Sequence, residues 1–268
     1  HADIYTSLAD IQRQFQYLLR IMSEESLIIA RKNDPNIEQV LAKESRTPVE
    51  FFGLENTADW QIKNLTEDAS QFEAFYHHES QGATHWSLYG NHNLCNAIAA
   101  IAAAHRIGIP TSTSLAALSA FKNVKRRLEL IGNINNIFVY DDFAHHPTAI
   151  TATIEALRGK VGNARILSVL ECGSYTMRTG VHQDSLAQAL SPTDHAFLLK
   201  PKQSEWDLAA SMSQATIPYS IFNEVDLIVE SLVKEARPGD QILIMSNSSF
   251  GGIYQKLLTA LEKNAGIF

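Results

Sequence analysis

Residues 136–158 read NIFVYDDFAHHPTAITATIEALR, and this stretch decides the fold class of the second half of the chain. An apolar run at residues 136–140 predicts a strand, and residues 147–158 have the apolar spacing of a helix that begins at a proline. The same order of strand, polar loop and helix then repeats to the end of the chain. Further strands are predicted at residues 165–170, 196–199, 219–222 and 241–245, and further helices at residues 182–190, 205–213, 224–236 and 251–263.

This alternation predicts a mainly parallel sheet with helices on both faces, because a strand–helix–strand connection is nearly always a right-handed crossover. Ligands of such Rossmann-like sheets bind beyond the carboxyl ends of the strands. Four loops are therefore expected to share one edge of the sheet, namely residues 141–147, 171–180, 200–204 and 246–252.

The first half of the chain has a less regular pattern and is predicted to be a separate α/β domain. We assign residues 1–123 to this domain and residues 124–268 to the Rossmann-like domain. Helices are predicted at residues 3–21, 37–43, 92–107 and 112–121, and strands at residues 27–30, 49–52, 61–65, 72–77 and 85–88. On the first helix, Ile4, Leu8, Ile11, Phe15 and Leu18 share one apolar face.

The composition excludes several classes of protein. The 268 residues are 45% hydrophobic and 19% charged, as in packed globular proteins and unlike disordered chains. The net charge is -7, so nucleic acid is not an expected partner, and no apolar run is long enough to span a membrane. Two distant cysteines without a CxxC spacing favour a reduced, cytoplasmic protein. The composition leaves the oligomeric state open.

Residues 90–100, GNHNLCNAIAA, form the most informative motif of the first half. Asn93 and Asn96 lie three residues apart and so share one face near the start of the predicted helix. A carboxamide both donates and accepts hydrogen bonds, which suits the edge of an adenine. The alternative is that both asparagines only cap and cover the end of a helix.

Residues 140–148, YDDFAHHPT, bring two carboxylates and two imidazoles to the end of a strand. A metal site is one interpretation, but adjacent residues leave a strand in different directions, which disfavours four ligands for one ion. Asp142 could instead bind ribose hydroxyls, as acidic residues do in nucleotide sites. The remaining alternative is a polar loop in which an aspartate caps the next helix.

Residues 125–129, KRRLE, lie where the two halves of the chain meet. Such a run is either a solvated linker or the source of an arginine that holds a phosphate through paired hydrogen bonds. Neither GxGxxG nor GxxxxGK[ST] occurs in the 268 residues. A dinucleotide-dependent oxidoreductase of the usual kind is therefore disfavoured.

Four motifs in this order, GNHNLCNAIAA, RRLE, YDDFAHHPT and SNSSFGGIYQKLL, resemble the Mur ligases, which use ATP to form amide bonds in peptidoglycan synthesis. The opening HADIY, the loop ECGSYTMR and the run MSNSSFGGIYQKLL are similar to the branch that joins UDP-N-acetylmuramate to the murein tripeptide L-alanyl-γ-D-glutamyl-meso-diaminopimelate. The nearest alternative is the branch that adds L-alanine to the same muramate. A noncatalytic nucleotide- or peptide-binding module is the alternative from another class.

The resemblance implies a three-domain enzyme that phosphorylates a carboxylate with ATP and Mg2+ and lets an amine attack the acyl phosphate. We expect this chain to begin inside the central ATP-binding domain, after its phosphate loop, and to continue into the C-terminal Rossmann-like domain. Because no phosphate-loop lysine is present in the sequence, we expect the chain alone to be inactive.

The resemblance also implies roles for single residues. His1 matches a magnesium ligand with a catalytic role, and Arg127 matches a catalytic arginine beside the phosphates. The residues expected to bind the nucleotide are His92, Asn93, Asn96, Asp142, His145 and His146. The residues expected to bind the other substrates are Ser174, Thr176, Arg178, Lys200, Ser246 and Asn247.

One loop departs from the pattern of the family. Its relatives usually read EPRSNTM, whereas this chain has Cys172 and Gly173 after Glu171. The arginine that could bind a peptide carboxylate is therefore absent, and Arg178 and Lys200 are the expected substitutes. This departure leaves the identity of the peptide open.

Overall fold

The computed structural model describes residues 4–44, 46–201 and 206–265, and the chain divides into two compact units, His1–Lys122 and Asn123–Phe268. Each unit packs helices against one sheet. The predicted α/β fold class is confirmed, because both sheets are mixed and consist largely of parallel strands.

The first unit has a five-stranded sheet in the order β1-β2-β3-β4-β5. The first three strands are parallel, and the last two are added in antiparallel fashion. In chain order its elements are α1 (Leu8–Ile21), β1 (Ile28–Arg31), α2 (Pro35–Glu44), β2 (Val49–Gly53), β3 (Trp60–Asn64), β4 (Gln71–Tyr76), β5 (Glu79–His85), α3 (Asn91–Arg106) and α4 (Thr111–Ser119).

The core of the first unit forms between this sheet and α3. Trp60 and Phe72 from the strands are fully buried together with Leu94, Ile98 and Ile101 of the helix. The alanine-rich sequence of α3 brings its backbone close to the sheet, because small side chains permit a close approach.

Helix α1 begins at a capping box. The Ser7 hydroxyl accepts a hydrogen bond from the backbone N–H of Asp10 at 3.3 Å, and the Asp10 carboxylate accepts one from the backbone N–H of Ser7 at 3.1 Å. The helix therefore begins five residues later than predicted. Its apolar face is largely exposed in this unit, since Leu8, Phe15 and Leu18 retain 52%, 56% and 50% of their accessible surface.

The second unit has a six-stranded sheet in the order β10-β9-β8-β11-β7-β6. All neighbouring strands are parallel except β6 and β7, which form a hairpin. Its elements are β6 (Glu129–Ile134), β7 (Ile137–Asp142), α5 (Pro147–Val161), β8 (Ile166–Glu171), α6 (Tyr175–Arg178), a 3-10 turn (Gln183–Ser185), α7 (Leu186–Ala189), β9 (His195–Leu199), α8 (Leu208–Met212), β10 (Tyr219–Phe222), α9 (Val225–Glu235), β11 (Gln241–Met245), a second 3-10 turn (Phe250–Gly252) and α10 (Ile253–Ala265).

Both faces of this sheet are covered by helices, as the alternation predicted. On one face, α5, α7 and α8 contribute Ile150, Leu186 and Leu208 to a buried cluster. On the other face, α9 and α10 contribute Leu232 and Leu257. The central strands are buried on both faces and read as continuous apolar runs for this reason.

The structure differs from the predicted elements at the edges of the sheets. Of the predicted strand at residues 85–88, only His85 is in a strand, the polar segment Glu79–His85, whereas Trp86 and Leu88 are buried from a loop. Strand β6 was not predicted. Its turn at Asn135 and Asn136, which have φ angles of 51° and 61°, is a two-residue hairpin turn that the Asn-Asn pair could have indicated.

No helix within residues 4–44, 46–201 and 206–265 combines the length and the apolar character that crossing a membrane requires.

Candidate functional site

The carboxyl ends of β7, β8 and β11 bring the principal polar residues of the second unit to one edge of its sheet. Met245 at the end of β11 pairs with Asp142 on one side and with Leu170 on the other. Asp142, at the end of β7, and the residues that follow this level on the other two strands, Ser246 and Glu171, therefore lie side by side at the same edge of the sheet. This is the edge at which ligands of parallel sheets bind.

Asp142 is a buried acceptor for its own domain. One carboxylate oxygen accepts hydrogen bonds from the backbone N–H of Ala144 at 2.8 Å and from the Thr153 hydroxyl at 3.1 Å. The other accepts one from the backbone N–H of Leu128 at 2.7 Å. With an exposure of 3%, Asp142 offers a ligand little more than one remaining lone-pair direction.

Arg126 is held on the second unit by several contacts. Its guanidinium donates to the Asp141 carboxylate at 3.2 Å, to the backbone carbonyl of Ser246 and to the Tyr254 hydroxyl at 3.0 Å. Its backbone carbonyl accepts from the N–H of Phe143 at 2.9 Å. These bonds fasten the start of the unit to β7, to the end of β11 and to α10.

Burial and mutual contacts shift the pKa values of this cluster. Burial raises the pKa of Asp141 above its ordinary value, although Tyr254 and Arg126 oppose this shift. Burial lowers the pKa of Arg126, but Tyr254 and Asp141 outweigh burial and hold it above its ordinary value. Burial, followed by the charge of Asp141, raises the pKa of Tyr254 well above its ordinary value. Tyr254 therefore remains a protonated donor to Asp141 while it accepts from Arg126.

Arg127, the predicted catalytic arginine, is presented outward between two fixed neighbours. Arg126 and Leu128 both have positive φ angles, 60° and 49°, and both are anchored through the contacts described above. The guanidinium of Arg127 lies 5.9 Å from the centre of the Phe143 ring, and the side chain is exposed. It can therefore reach a ligand at the edge of the unit.

His145 and His146 lie side by side at the start of α5, with their rings 5.5 Å apart. His145 contacts the backbone carbonyl of Phe143 through Nδ1 at 2.9 Å. His146 is the N-cap of α5, and its Nδ1 accepts from the N–H of Ala149 at 3.4 Å. Burial, followed by the positive charge of His145 and of nearby His182, lowers the pKa of His146.

Glu171 joins the ends of β8 and β11. Its Oε2 accepts hydrogen bonds from the hydroxyls of Ser246 and Ser248. The Ser246 hydroxyl accepts in turn from the backbone N–H of Ser248 at 2.9 Å. Of the predicted residues of this loop, Ser246 is fully buried and Asn247 is half-buried.

The other predicted substrate residues line the loop after β8 and the end of β9. Ser174 is buried as the N-cap of α6 and accepts from the N–H of Met177 at 3.3 Å, while Thr176 is half-buried. Arg178 and Lys200 are exposed. Of these four residues, the two cations are therefore the most accessible to solvent.

The predicted adenine residues lie at the start of α3 in the first unit. The Asn93 amide donates to the backbone carbonyl of Tyr89 at 2.8 Å, which orients its oxygen as an acceptor. Asn96 and His92 are exposed on the same helix. Gly90, with a φ of 86°, makes the turn into the helix.

His1 lies outside the described residues. Within the described ranges, no group of three or more His, Cys, Asp or Glu side chains could hold a metal ion.

Three residues at this edge were not among the predicted site residues, namely Arg126, Glu171 and Ser248, although Glu171 and Ser248 lie in loops that were predicted to share the edge. Arg126 and Arg127 are adjacent in the sequence, so the sequence did not show which of them is anchored. Glu171 begins the predicted loop 171–180, so the rule that ligands bind beyond strand ends placed it at this edge without assigning it a role.

Comparisons with known proteins agree along the whole chain. Residues 1–104 match the family model described as "Mur ligase middle domain", and residues 126–248 match "Mur ligase, glutamate ligase domain". The UDP-N-acetylmuramate–L-alanyl-gamma-D-glutamyl-meso-2,6-diaminoheptandioate ligase of Escherichia coli (strain K12) is 46% identical over 266 residues, which are 99% of this chain and 58% of that protein. The ligase of the same name from Haemophilus influenzae is 44% identical over 263 residues, which are 98% of this chain and 58% of that protein.

A solved structure agrees as well. The murein peptide ligase from Psychrobacter arcticus 273-4 superposes with a TM-score of 0.72 at 40% identity and covers 96% of this chain and 56% of that one. The chain thus spans less than two thirds of the length of each of these proteins.

Proposed function

Because the chain belongs to the Mur ligase family, we propose that it works as part of an ATP-dependent ligase that joins UDP-N-acetylmuramate to the murein tripeptide L-alanyl-γ-D-glutamyl-meso-diaminopimelate in peptidoglycan recycling. The observation that carries the proposal is 46% identity over 99% of the chain to a ligase named for this reaction. In this proposal, residues 1–123 are the C-terminal part of the central ATP-binding domain, without its phosphate loop, and residues 124–268 are the C-terminal domain.

The reaction has two steps. The muramate carboxylate attacks the γ-phosphorus of ATP, which forms an acyl phosphate and releases ADP. The terminal amine of the peptide then attacks the acyl carbon and forms the amide bond. The C–O bond to phosphate breaks, and inorganic phosphate leaves. Catalysis of this kind depends on positioning and on neutralising the charge of the transferred phosphoryl group.

For the nucleotide, we propose that Asn93 and Asn96 bind the adenine and that His92 lies beside them. The fixed acceptor oxygen of Asn93 and the exposed amide of Asn96 support this assignment, since an adenine edge needs a donor and an acceptor together. On the second unit, Asp142, His145 and His146 are the proposed nucleotide residues. The buried state of Asp142 limits it to one contact with ribose.

Arg127 is the proposed catalytic residue on the second unit. Its exposed guanidinium is supported on both sides by anchored backbone, which limits the entropy lost when it binds a phosphate. A guanidinium suits a phosphate because two of its N–H groups can donate in parallel.

For the peptide, we propose that the loops after β8, β9 and β11 provide the binding surface. The exposed cations Arg178 and Lys200 suit the carboxylates of the tripeptide. Ser174, Thr176, Ser246 and Asn247 are the proposed uncharged polar residues of the same surface.

Magnesium belongs to the proposal through the family only. Its proposed ligand and catalytic residue is His1, and the described ranges provide no further ligand set. When bound, the ion would neutralise charge on the phosphates.

A cytoplasmic location is part of the same proposal. ATP and nucleotide-linked sugars are cytoplasmic metabolites, and both cysteines, Cys95 and Cys172, are free and buried. The exposed surface of Cys172 is zero, and burial, followed by the charge of Glu171, raises the pKa of its thiol to about 12. It is therefore not a nucleophile at neutral pH.

A chimera tests the proposed function. The segment of the Escherichia coli ligase that precedes its match to this chain is joined to the 268 residues, and ligation is followed by phosphate release and by mass spectrometry of the product. With UDP-N-acetylmuramate and ATP, we expect turnover with the tripeptide and none with L-alanine.

The outcomes separate the alternatives. Turnover with L-alanine alone would indicate the alanine-adding branch. Binding of nucleotide or peptide without turnover would favour a noncatalytic module. The 268-residue chain alone serves as the control and is expected to form no amide.

A further inference from the structure

Glu171 is a carboxylate that the proposed reaction does not yet use. It ends β8, it is half-buried, and its Oε2 accepts hydrogen bonds from the hydroxyls of Ser246 and Ser248. Ser246 belongs to both clusters of this edge, because its backbone carbonyl accepts from Arg126 while its hydroxyl donates to Glu171. Ser246 thus connects Glu171 to Arg126, which is the neighbour of Arg127 in the sequence.

Glycine at position 173 shapes the space around this carboxylate. A Cβ atom on Gly173 would lie 3.2 Å from Cγ and Cδ of Glu171 and 3.3 Å from its Oε1. Contacts this short would require the Glu171 side chain to shift by a few tenths of an ångström. The Glu-x-Gly order, which differs from the family pattern, therefore permits the observed position of Glu171.

Among the residues that the structure describes, no cation forms an ion pair with Glu171. Within residues 4–44, 46–201 and 206–265, the recorded ion pairs of Arg126, Arg158, Arg165 and Lys256 are all made to other carboxylates. Two hydroxyl donors hold the carboxylate in place but leave its charge uncompensated. A carboxylate that is fixed in this way suits a cationic ligand that can donate several hydrogen bonds.

We propose that Glu171, held by Ser246 and Ser248, binds the N-terminal ammonium group of the incoming peptide. This inference rests on the proposed function, in which that nitrogen forms the new amide bond once the ammonium has lost a proton to solvent. The reacting end of the peptide must lie close to the phosphoryl group. Arg127 is proposed to contact that group, and its neighbour Arg126 is bonded to Ser246, which also donates to Glu171. The cations Arg178 and Lys200 remain for the carboxylates at the other end of the peptide.

The test compares two peptides on the 268-residue chain by isothermal titration calorimetry. One is the free tripeptide, and the other is the same tripeptide acetylated at its N-terminus, which has no ammonium group. We expect acetylation to weaken binding about tenfold to a hundredfold, as the loss of a hydrogen bond between charged groups does. Glu171→Gln should remove this difference, because an amide keeps the contacts to the serines but not the charge.

Two further variants complete the design. Gly173→Ala should reduce the preference for the free amine without changing any charge, because the added methyl group displaces Glu171. Glu224→Gln removes an exposed carboxylate elsewhere in the same unit and should leave the preference unchanged. Circular dichroism of each variant checks that it is folded.

Each outcome of this test either supports or overturns the role of Glu171. Equal binding of both peptides to the unaltered chain, or a preference that persists in Glu171→Gln, would overturn the role of Glu171 and leave the proposed function intact. If neither peptide binds, the assignment of the peptide surface fails together with the inference, whereas the chimera still measures ligation separately.

Discussion

At the scale of single residues, Arg126 and Arg127 show how neighbours of the same type take different roles. Arg126 donates to Asp141, to Ser246 and to Tyr254, whereas Arg127 is exposed. The side chains of the Arg126–Asp141 pair are 29% and 10% exposed, so the arginine is half-buried and its partner is largely buried. The motif RRLE predicted that Arg127 is functional, but it could not show that Arg126 is the arginine that anchors the segment.

The difference leads to unequal effects of two substitutions on stability. Arg126→Ala is expected to lower the free energy of unfolding by about 2–3 kcal/mol, because it leaves Asp141 buried without its cation. Arg127→Ala should lower it by less than about 0.5 kcal/mol, because an exposed side chain contributes little. Urea unfolding of the 268-residue chain measures both, and equal losses would contradict the assignment of the anchor.

Activity should follow the reverse order. In the chimera, Arg127→Ala is expected to lower kcat/KM about a hundredfold or more, as the loss of one group that stabilises the transition state does. Arg127→Lys should restore only part of this activity, since an ammonium cannot donate in parallel.

At the scale of elements, α5 depends on a histidine cap whose function changes with pH. His146 accepts from the N–H of Ala149 through Nδ1, which is possible only while this nitrogen carries no proton. Protonation turns the acceptor into a donor and places a positive charge at the positive end of the helix dipole. The neutral form is therefore the one that stabilises the helix.

This cap predicts a pH dependence of stability. Burial and the charges of His145 and His182 lower the pKa of His146 in the folded state below its ordinary value of 6.5, so the unfolded chain binds the proton first as the pH falls. The stabilisation is complete above about pH 6.5 and decreases below it. His146→Asn, which retains a good capping acceptor, should flatten the dependence between about pH 7 and pH 5. Urea unfolding across this range is the measurement, and an unchanged slope would contradict the prediction.

The elements themselves were predicted best where they are most buried. The strands β8, β9 and β11 and the helices α3, α5 and α9 agree with prediction to within a few residues, because burial on one or both faces requires a clear apolar pattern. Of the four edge strands, β5 and β6 were missed, whereas β1 and β10 were predicted. An edge strand is held mainly by backbone hydrogen bonds, which leave little trace in the side chains.

At the scale of the whole molecule, the chain consists of two compact units with separate cores. The two clusters of the second unit draw all their residues from the range 128–261. The cluster of the first unit lies between Ile29 and Leu118. A unit with a complete sheet and helices on both faces contains the burial that folding requires.

Residues 123–268 are therefore expected to fold by themselves. The isolated segment should show the circular dichroism of an α/β protein and one cooperative urea transition. The absence of a cooperative transition would show that this unit depends on the rest of the chain.

The sequence by itself determined the fold class, the order of the motifs and the resemblance to Mur ligases, because these depend on local patterns and on residues close together in the chain. The tertiary structure decided which arginine is anchored, how deeply Asp142 is buried and that Glu171 meets Ser246 across 75 residues. These contacts depend on the order β8-β11-β7 in the sheet, which brings the ends of distant strands side by side. Local spacing predicts each strand but not its neighbour, so the chemistry at the shared edge became visible only once the sheet was assembled.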